Sequence, residues 1–497
     1  MASIGVIGAG LGGLAAAARL AHAGHEVTLY ERTAQLGGKA GELHMEDFRF
    51  DTGPSLMTMP FVVTDLLEDL GEDPADHLTL TPLDPLCRYF YPDGTVFDAP
   101  ADPTRLARAV RDAGLGTPER VRQYLRHCAR AYDMAAEFFL FRPIEGFGSF
   151  FRGLGPLDGL RALTRLGHLD GLRSMHRANA GFFDDPRMVQ LLDRYATYVG
   201  SSPYRTPATF NLIQHIEYVG GGYLIEGGVY RLVEVLAEQL ERLGVETRLD
   251  AEVQTLLLHG GRVTGAIVDG QRCHHDAIVS NADVRHTYDT LLEGIESKAA
   301  RRYRRLEPSS SALVFYWGIE DEHPDVDVHN IFFSDDYPAE FRALFEEGRC
   351  PDEPTAYVYV SSKFAPGDAP TGHENWFVMI NAPYDRGQDW DAEVSRVRER
   401  VAARVRASLG WDPREAVVCE RVLTPPAIAE RTGSHGGALY GIASHRMDAA
   451  FLRQSNRSRE FPGLFFCGGS AHPGGGIPLA LLSGKMAAEL ARDFVAG

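Results

Sequence analysis

The sequence predicts an α/β fold in which a Rossmann-type, dinucleotide-binding domain carries an inserted α+β domain. Three observations support this prediction. One glycine-rich turn lies between a strand and a helix near the start of the chain, and a second such turn lies near its end. The third observation is that strands rich in aromatic and β-branched residues lie between these two turns. The nucleotide domain is therefore predicted to be discontinuous, with residues 1–85, 220–290 and 440–497. Residues 86–219 and 291–439 form the inserted domain.

The N-terminal segment is predicted to be a complete βαβ unit. Ser3–Ile7 is expected to form a buried strand, an Ala- and Leu-rich helix runs to His22, and Glu26–Tyr30 forms a second strand. The acidic Glu31 follows that strand directly. A glycine turn between strand and helix, with an acid after the second strand, is the fingerprint of a dinucleotide site.

Each glycine of the first turn has a predicted role. Gly8 permits the tight turn, Gly10 and Gly12 let backbone N–H groups approach a pyrophosphate, and Gly13 lets the helix lie close on the strands. Glu31 is expected to accept hydrogen bonds from the ribose hydroxyls. An acid at this position disfavours a 2′-phosphate, so the pattern favours FAD or NAD over NADP. The alternative is a glycine turn without a ligand.

Two further turns favour FAD. Gly38 and Lys39 continue a second glycine turn, which brings backbone amides and a cation toward the same phosphates. Pro54 and Ser55 end an alternating segment, and their Gly-Pro turn can bring main chain against a flavin ring. The alternative for the turn at Pro54 and Ser55 is an ordinary hairpin end.

Two later strands are predicted to reach the nucleotide. Residues 247–257 alternate as a strand, with Val253 in its middle, where a backbone amide and carbonyl can meet an adenine edge. Ala277–Asp283 is predicted to be a strand that runs into a loop. Asn281 then lies at the carboxyl end of this strand, where ligands of parallel sheets bind.

The last glycine-rich unit is predicted to be an anion and flavin site. A strand through Phe465 and Phe466 leads into CGGSAHPGGGIP, and a helix is expected from Leu479. His472 is the titratable group within this loop, and its ordinary pKa suits proton transfer near neutral pH. The alternative is a structural role in which its ring packs or hydrogen-bonds within the loop.

Three carboxylates are weaker candidates for acid–base chemistry. They are Glu217, Glu226 and Asp51, for which satisfying the amides of glycine-rich loops is the alternative.

The inserted domain is predicted to contain an antiparallel sheet and an amphipathic segment. Its strands are expected at Ser309–Ile319, Ile331–Phe333, Ala356–Val360 and Trp376–Asn381. Met134–Leu166 is rich in phenylalanine and is followed by arginines. Such a segment suits a helix in a lipid interface or a lid over an apolar tunnel, with a buried core helix as the alternative.

Composition disfavours several classes of protein. The formal charge of −18 repels nucleic acid, so no nucleic-acid partner is expected. The six cysteines have no spacing that suits zinc, so no metal site is expected. The sequence contains no apolar window long enough to span a membrane, which leaves a surface-bound habit open, and no export signal is expected.

The order of the motifs resembles that of the phytoene-desaturase-type carotenoid desaturases over nearly the full chain. The shared motifs are LGGKAG, FDTGPS, GSSPYRTPA, VSNAD and CGGSAHPGGGIP. Within that family, NIFFSDDYPAEF, ENWFVMINAPYD and GGSAHPGGGIPLALLSGK look most like the 1-hydroxycarotenoid 3,4-desaturases. Phytoene desaturases usually show GAGTHPGAGIPG at the last site, and Gly469-Ser470-Ala471 with Leu479 departs from it.

The resemblance implies an FAD enzyme with an amine-oxidase-like fold, a long apolar substrate and a monotopic, peripheral position on the cytoplasmic side of the membrane. By position it places Pro54 and Ser55 near the flavin. It also places four residues of the last loop at the isoalloxazine ring, namely Gly469, Gly476, Ile477 and Pro478.

The implied reaction is desaturation of an acyclic carotenoid, with the hydride going to the flavin and a proton leaving the neighbouring carbon. The expected electron acceptor is oxygen or a quinone. The alternatives are a phytoene desaturase, an amine-oxidase-like flavin oxidase of amines or porphyrin-type rings, and a non-catalytic carotenoid carrier that keeps FAD as a structural group.

Overall fold

A computed structural model describes residues 1–144, 170–447, 449 and 453–497. Residues 145–166 of the predicted amphipathic segment therefore lie outside the described residues. The strands are β1 Ser3–Ile7, β2 Glu26–Tyr30, β3 Glu42–Met45, β4 Phe48–Asp51, β5 Leu80–Pro82, β6 Cys87–Phe90, β7 Val96–Ala99, β8 Tyr223–Ile225, β9 Glu246–Arg248, β10 Val253–His259, β11 Arg262–Val268, β12 Gln271–His274, β13 Ala277–Ser280, β14 Ser311–Ile319, β15 His329–Phe332, β16 Ala356–Val360, β17 Glu374–Ala382, β18 Val417–Leu423 and β19 Leu464–Phe466.

The described α-helices range from single turns to helices of 20 residues. They are α1 Leu11–His22, α2 Phe61–Asp69, α3 Pro103–Asp112, α4 Pro118–Ala135, α5 Met175–Asn179, α6 Pro186–Asp193, α7 Leu212–Tyr218, α8 Tyr230–Arg242, α9 Val284–His286, α10 Lys298–Tyr303, α11 Tyr337–Arg342, α12 Trp390–Leu409, α13 Pro425–Thr432 and α14 Ile477–Ala496. Within the described ranges, no helix is both long and apolar enough to cross a bilayer.

A five-stranded parallel sheet forms the centre of the nucleotide-binding part, in the order β19-β13-β1-β2-β9. The predicted bounds of β1 and β2 and the predicted end of α1 at His22 are confirmed. Because neighbouring strands are parallel, their carboxyl ends meet at one edge of the sheet. The glycine loops after β1 and β19 and the Asn281 loop after β13 therefore lie together.

The two ends of the chain meet in a close helix pair. α1 presents small buried residues, including Ala15 and Ala16, to α14. A Cβ atom built on Gly484 of α14 would lie only 2.4 Å from the carbonyl oxygen of Gly12. Glycine at this position lets the C-terminal helix approach the N-terminal one, and the pair positions both glycine loops.

The predicted strand 247–257 is wrong, because two strands of different sheets occupy it. β9 pairs in parallel with β2, whereas β10 begins an antiparallel sheet with β11 and β12. Between them Asp250 has φ +50° and the Ala251 N–H donates to the Glu31 carbonyl oxygen at 2.8 Å. Val253 is therefore the first residue of β10 and not the middle of a strand.

The largest sheet of the described residues has seven strands, in the order β18-β14-β17-β16-β15-β6-β7. The predicted antiparallel sheet is confirmed, because β14, β17, β16 and β15 pair antiparallel in that order. β6 was not among the strands predicted for this sheet, and it pairs with β15 in parallel. The hairpin of β6 and β7 enters from an earlier part of the chain and joins the free edge of β15. At the centre of the sheet, Trp317 and Trp376 face each other in register and are buried.

Candidate active site

A cavity of about 830 Å³ runs from the carboxyl edge of the parallel sheet to the seven-stranded sheet. It brings together residues that are far apart in the sequence. The predicted cofactor residues that line it are Gly8, Gly10, Gly12, Glu31, Gly38, Lys39, Pro54, Ser55, Val253, Asn281, Gly469, Gly476, Ile477 and Pro478, and the predicted catalytic residue His472 lines it as well. Gly13 lies behind this wall, where its Cβ would meet the Gly8 carbonyl oxygen at 2.1 Å.

Two helices begin at the cavity wall without side-chain caps. Gly10 precedes α1 and Gly476 precedes α14, and neither supplies a side-chain hydrogen bond to the first turn. Gly476 has φ +106°, and a Cβ built there would meet nothing within 4 Å among the described atoms. Uncapped N–H groups and the positive ends of two helix dipoles suit an anionic ligand. α14 begins at Ile477, two residues before the predicted Leu479.

Asn281 braces the first glycine turn. Its side-chain amide donates to the Gly8 carbonyl oxygen at 3.2 Å, and a Cβ on Gly10 would lie 2.8 Å from the same nitrogen. Gly8 itself has φ +89°, a backbone conformation that favours glycine. The side chain of Asn281 therefore occupies the space that a larger residue at Gly10 would need.

Glu31 is held by neighbouring groups in one orientation. One carboxylate oxygen accepts from the Ala9 N–H at 2.8 Å, and the other accepts from the Thr33 N–H at 3.0 Å and the Thr33 hydroxyl at 2.9 Å. The side chain is buried at the cavity wall. A carboxylate has about four acceptor sites, so the fixed group keeps capacity for a ligand hydroxyl.

Two cations, Lys39 and Arg431, line the cavity near the second glycine turn. Lys39 Nζ donates to the carbonyl oxygens of Leu439 at 2.6 Å and Ala438 at 3.2 Å. Burial lowers the pKa of Lys39 to about 8, although the Asp283 carboxylate opposes this shift. Sequence reasoning missed Arg431, because nothing local marks it.

The His472 ring is buried and hydrogen-bonded. Its Nε2 lies 2.9 Å from the carbonyl oxygen of Arg142, and burial lowers the pKa of the imidazole to about 4. The ring is therefore neutral near pH 7, with Nε2–H as the donor to that carbonyl. These contacts favour the structural alternative, and the acid–base role remains a prediction.

The weaker acid–base candidates have different surroundings. Asp51 is buried and accepts from the N–H groups of Val229 at 3.1 Å and Tyr230 at 3.2 Å, and also from Arg49 at 3.0 Å. It thus satisfies loop amides at the start of α8. Glu226 is exposed.

Glu217 belongs to a buried polar cluster at the cavity wall. Its carboxylate accepts from the hydroxyls of Tyr195 at 2.6 Å and Tyr198 at 2.7 Å, and from Arg194 at 3.3 Å. Arg194 also donates to the hydroxyl of Tyr89 at 2.6 Å. These hydrogen bonds offset part of the cost of burying an ion pair.

The remaining wall is mainly apolar and comes from the seven-stranded sheet and the helices facing it. Its apolar residues include Leu140, Phe210, Ile213, Ile216, Ala312, Val314, Ile331, Phe377, Met379 and Leu423. A polar cluster of Ser55, Tyr357 and His329 interrupts this surface. Within the described ranges, no group of His, Cys, Asp and Glu side chains is placed to hold a metal ion.

Residues 11–491 match the flavin containing amine oxidoreductases. The chain belongs to this family. Solved structures with the same fold include an oxidoreductase from Methanosarcina mazei, with TM-score 0.64, 17% identity and coverage of 98% of this chain and 100% of that chain. Putrescine oxidase gives TM-score 0.62, 14% identity and coverage of 100% of this chain and 99% of that chain. The predicted amine-oxidase-like fold is confirmed, and the protein is a flavin oxidoreductase.

Relatives of higher identity confirm the resemblance to carotenoid desaturases. A 1-hydroxycarotenoid 3,4-desaturase from Flavobacterium sp. is 38% identical over 98% of both chains. A carotenoid 3,4-desaturase from Haloarcula japonica is 33% identical over 99% of this chain and 98% of its own. A 4,4'-diapolycopene oxygenase from Methylomonas sp. is 34% identical over 97% and 96%.

Proposed function

We propose that the protein is an FAD-dependent carotenoid desaturase that forms the C3–C4 double bond of a 1-hydroxycarotenoid. The observation that carries this proposal is the continuity of one cavity from the glycine turns to an apolar wall. The 38% identity to a 1-hydroxycarotenoid 3,4-desaturase over 98% of the chain supports the choice of substrate. The proposed nucleotide domain comprises residues 1–85, 220–290 and 440–497.

The residues present fit FAD. Glu31 and Val253 would hold the adenosine half, and the uncapped start of α1 would face the pyrophosphate. Lys39 would lie on the phosphate side, while the turn at Ser55 and the start of α14 would lie at the ring system. Bound FAD would supply the hydride acceptor that the reaction requires.

The apolar wall has two tasks in this reaction. Side chains such as Phe377, Met379 and Ile331 exclude water and hold the polyene by burial of apolar surface. They also hold one carbon–carbon bond beside the flavin site. Charge that develops beside the bond is delocalised along the polyene, so a strong side-chain base is not required.

His472 can serve this reaction in two ways. As an acid–base group it would receive the departing proton, and His472→Ala would lose turnover while retaining FAD. As a structural group it would hold the loop to Arg142, and His472→Gln would restore activity by supplying another side-chain donor. Comparing turnover and FAD content of the two variants separates these roles.

We infer that the protein acts on the cytoplasmic membrane surface as a peripheral protein. The supporting observation is an exposed aromatic pair, Phe61 and Phe141, which are 41% and 38% exposed as whole residues and have ring centroids 6.0 Å apart. Aromatic side chains are favourable in the membrane interface. Flotation with lipid vesicles should fall in the Phe61→Ser/Phe141→Ser double variant, and unchanged flotation would contradict the inference.

The function is tested with purified, FAD-loaded protein and liposomal carotenoids. A 1-hydroxy acyclic carotenoid should lose two hydrogens by mass and shift its absorption to longer wavelength. Conversion of phytoene alone would indicate a phytoene desaturase, and gain of oxygen would indicate the chemistry named for the Methylomonas relative. Oxidation of amines alone would indicate an amine oxidase, and failure of the substrate to bleach the flavin anaerobically would indicate a carrier. Oxygen uptake and quinone reduction identify the acceptor.

A further inference from the structure

The polar cluster of Ser55, Tyr357 and His329 lies where the two halves of the cavity meet. Ser55 Oγ is 2.5 Å from the Tyr357 hydroxyl, which is 2.6 Å from Nδ1 of His329. Ser55 belongs to the turn predicted to approach the flavin, whereas the other two residues belong to the apolar sheet. The cluster therefore places hydrogen-bonding groups on an apolar wall close to the proposed flavin site.

The Ser55 end of the cluster has capacity for one more hydrogen-bond partner. Burial lowers the pKa of His329 to about 3, so its neutral imidazole carries one N–H. With the two hydroxyls this makes three hydrogens for two internal hydrogen bonds. If Nδ1 carries the proton, the Ser55 hydroxyl is left to donate; if Nε2 carries it, the Ser55 oxygen is left to accept. A ligand hydroxyl, which both donates and accepts, completes the Ser55 end of either arrangement, whereas the buried Nε2 of His329 has no hydrogen-bond partner among the described residues.

The proposed substrate carries such a hydroxyl close to its reacting bond. In a 1-hydroxycarotenoid the oxygen is three bonds from C3, which is about 4 Å at ordinary bond lengths. A side chain that binds this oxygen must therefore lie beside the flavin site and not at the far end of the cavity. Ser55 meets this condition through its place in the Gly53–Ser55 turn.

Resting on the proposed function, we propose that Ser55 and Tyr357 bind the C1 hydroxyl and thereby place the C3–C4 bond at the flavin. Burial makes the interaction selective, because a substrate that lacks the hydroxyl leaves the cluster incomplete and desolvated.

Two other hydroxyl groups on the wall, those of Tyr198 and Thr355, are already paired. Tyr198 donates to Glu217 at 2.7 Å and receives a long contact from Arg194 at 3.5 Å. Thr355 Oγ1 accepts a hydrogen bond from the Ser334 N–H at 3.2 Å and lies 3.3 Å from the Ser334 hydroxyl oxygen. These groups have less capacity for a substrate hydroxyl than Ser55 has.

The test compares Tyr357→Phe with Tyr359→Phe in FAD-loaded protein. Both tyrosines stack on His329, but Tyr359 lies outside the cavity wall formed by the described residues, so its variant is the matched control. Each protein is assayed with a 1-hydroxycarotenoid and with the same polyene lacking the hydroxyl. Dissociation constants are measured from carotenoid absorption shifts in the absence of an electron acceptor. Tyr198→Phe is included as the competing site.

Tyr357→Phe should lower kcat/KM and affinity for the hydroxylated substrate about tenfold, with little change for the other substrate. Tyr359→Phe should leave the ratio of the two substrates unchanged. Equal effects on both substrates, no effect, or loss of selectivity only in Tyr198→Phe would overturn the inference. If the wild-type protein converts neither substrate, the proposed function itself is refuted.

Discussion

Replacing Gly484 with alanine tests the packing of the two chain ends. A Cβ at this position would lie 2.4 Å from the Gly12 carbonyl oxygen, 3.1 Å from Ala15 Cβ and 3.2 Å from Ala16 N. The nearest atom belongs to a helix backbone, so it cannot rotate away. α14 would have to move away from α1, which also shifts the start of α1 at the cavity.

The net effect follows from two opposing contributions. Overpacking against backbone costs about 3 kcal/mol, the upper part of the usual range. Alanine in place of glycine inside a helix returns about 1 kcal/mol. Gly484→Ala should therefore lower the free energy of unfolding by about 2 kcal/mol, even though alanine is the better helix former.

Urea denaturation of the flavin-free protein measures this change, and flavin fluorescence quenching measures the affinity for FAD. Both stability and FAD affinity should fall. Gly367→Ala is the control, because a Cβ there would meet no atom of the described residues within 4 Å and its φ lies outside the left-handed region. A Gly484→Ala protein that is as stable as the wild type, and binds FAD as tightly, would refute the close helix packing.

Three further predictions concern buried polar groups. Asp51→Ala should lower the free energy of unfolding by about 3 kcal/mol, because it leaves two buried amides at the start of α8 unpaired and removes one of the three carboxylates that bind Arg49. Urea denaturation against the exposed-turn variant Asp47→Ala checks this, and equal stabilities would contradict it. Arg194→Met should cost about 3–5 kcal/mol by leaving the buried Glu217 carboxylate without its cationic partner, and adding Glu217→Leu should recover much of it; a double variant no more stable than the single one would refute that coupling. His472 has an unfolded pKa of 6.5 and a folded pKa of about 4, so the unfolded chain binds more protons between these values. The wild type should lose about 2 kcal/mol more than His472→Gln between pH 6.5 and about pH 5, and parallel stability curves would argue against the buried neutral ring.

Local sequence patterns predicted much of the nucleotide-binding part. The bounds of β1 and β2 and the end of α1 follow from hydrophobic periodicity and from glycines, which act on the few residues beside them. The strand Ala356–Val360 was also predicted with its observed bounds. The glycine turns that meet at the cavity could be found individually, because each is a short strand–turn–helix pattern.

The prediction of one strand over residues 247–257 was wrong because the chain changes sheets within that segment. Residues 247–257 alternate throughout, but the chain leaves one sheet at Arg248 and enters another at Val253. Alternation reports which face of a strand is buried and not which strand pairs with it. The parallel pairing of β15 with β6 escaped prediction for the same reason, since it joins distant parts of the chain.

The sequence by itself determined the family, the flavin fold and the local turns, because these depend on residues that are neighbours along the chain. Only the tertiary structure decided that Arg431 lies beside Lys39, and that Tyr357 meets Ser55 across 302 positions of sequence. Single polar residues on otherwise apolar strands have no periodicity that distinguishes them. Their role arises from the side chain they face in the folded protein, and that neighbour is chosen by the packing of two sheets and not by either segment alone.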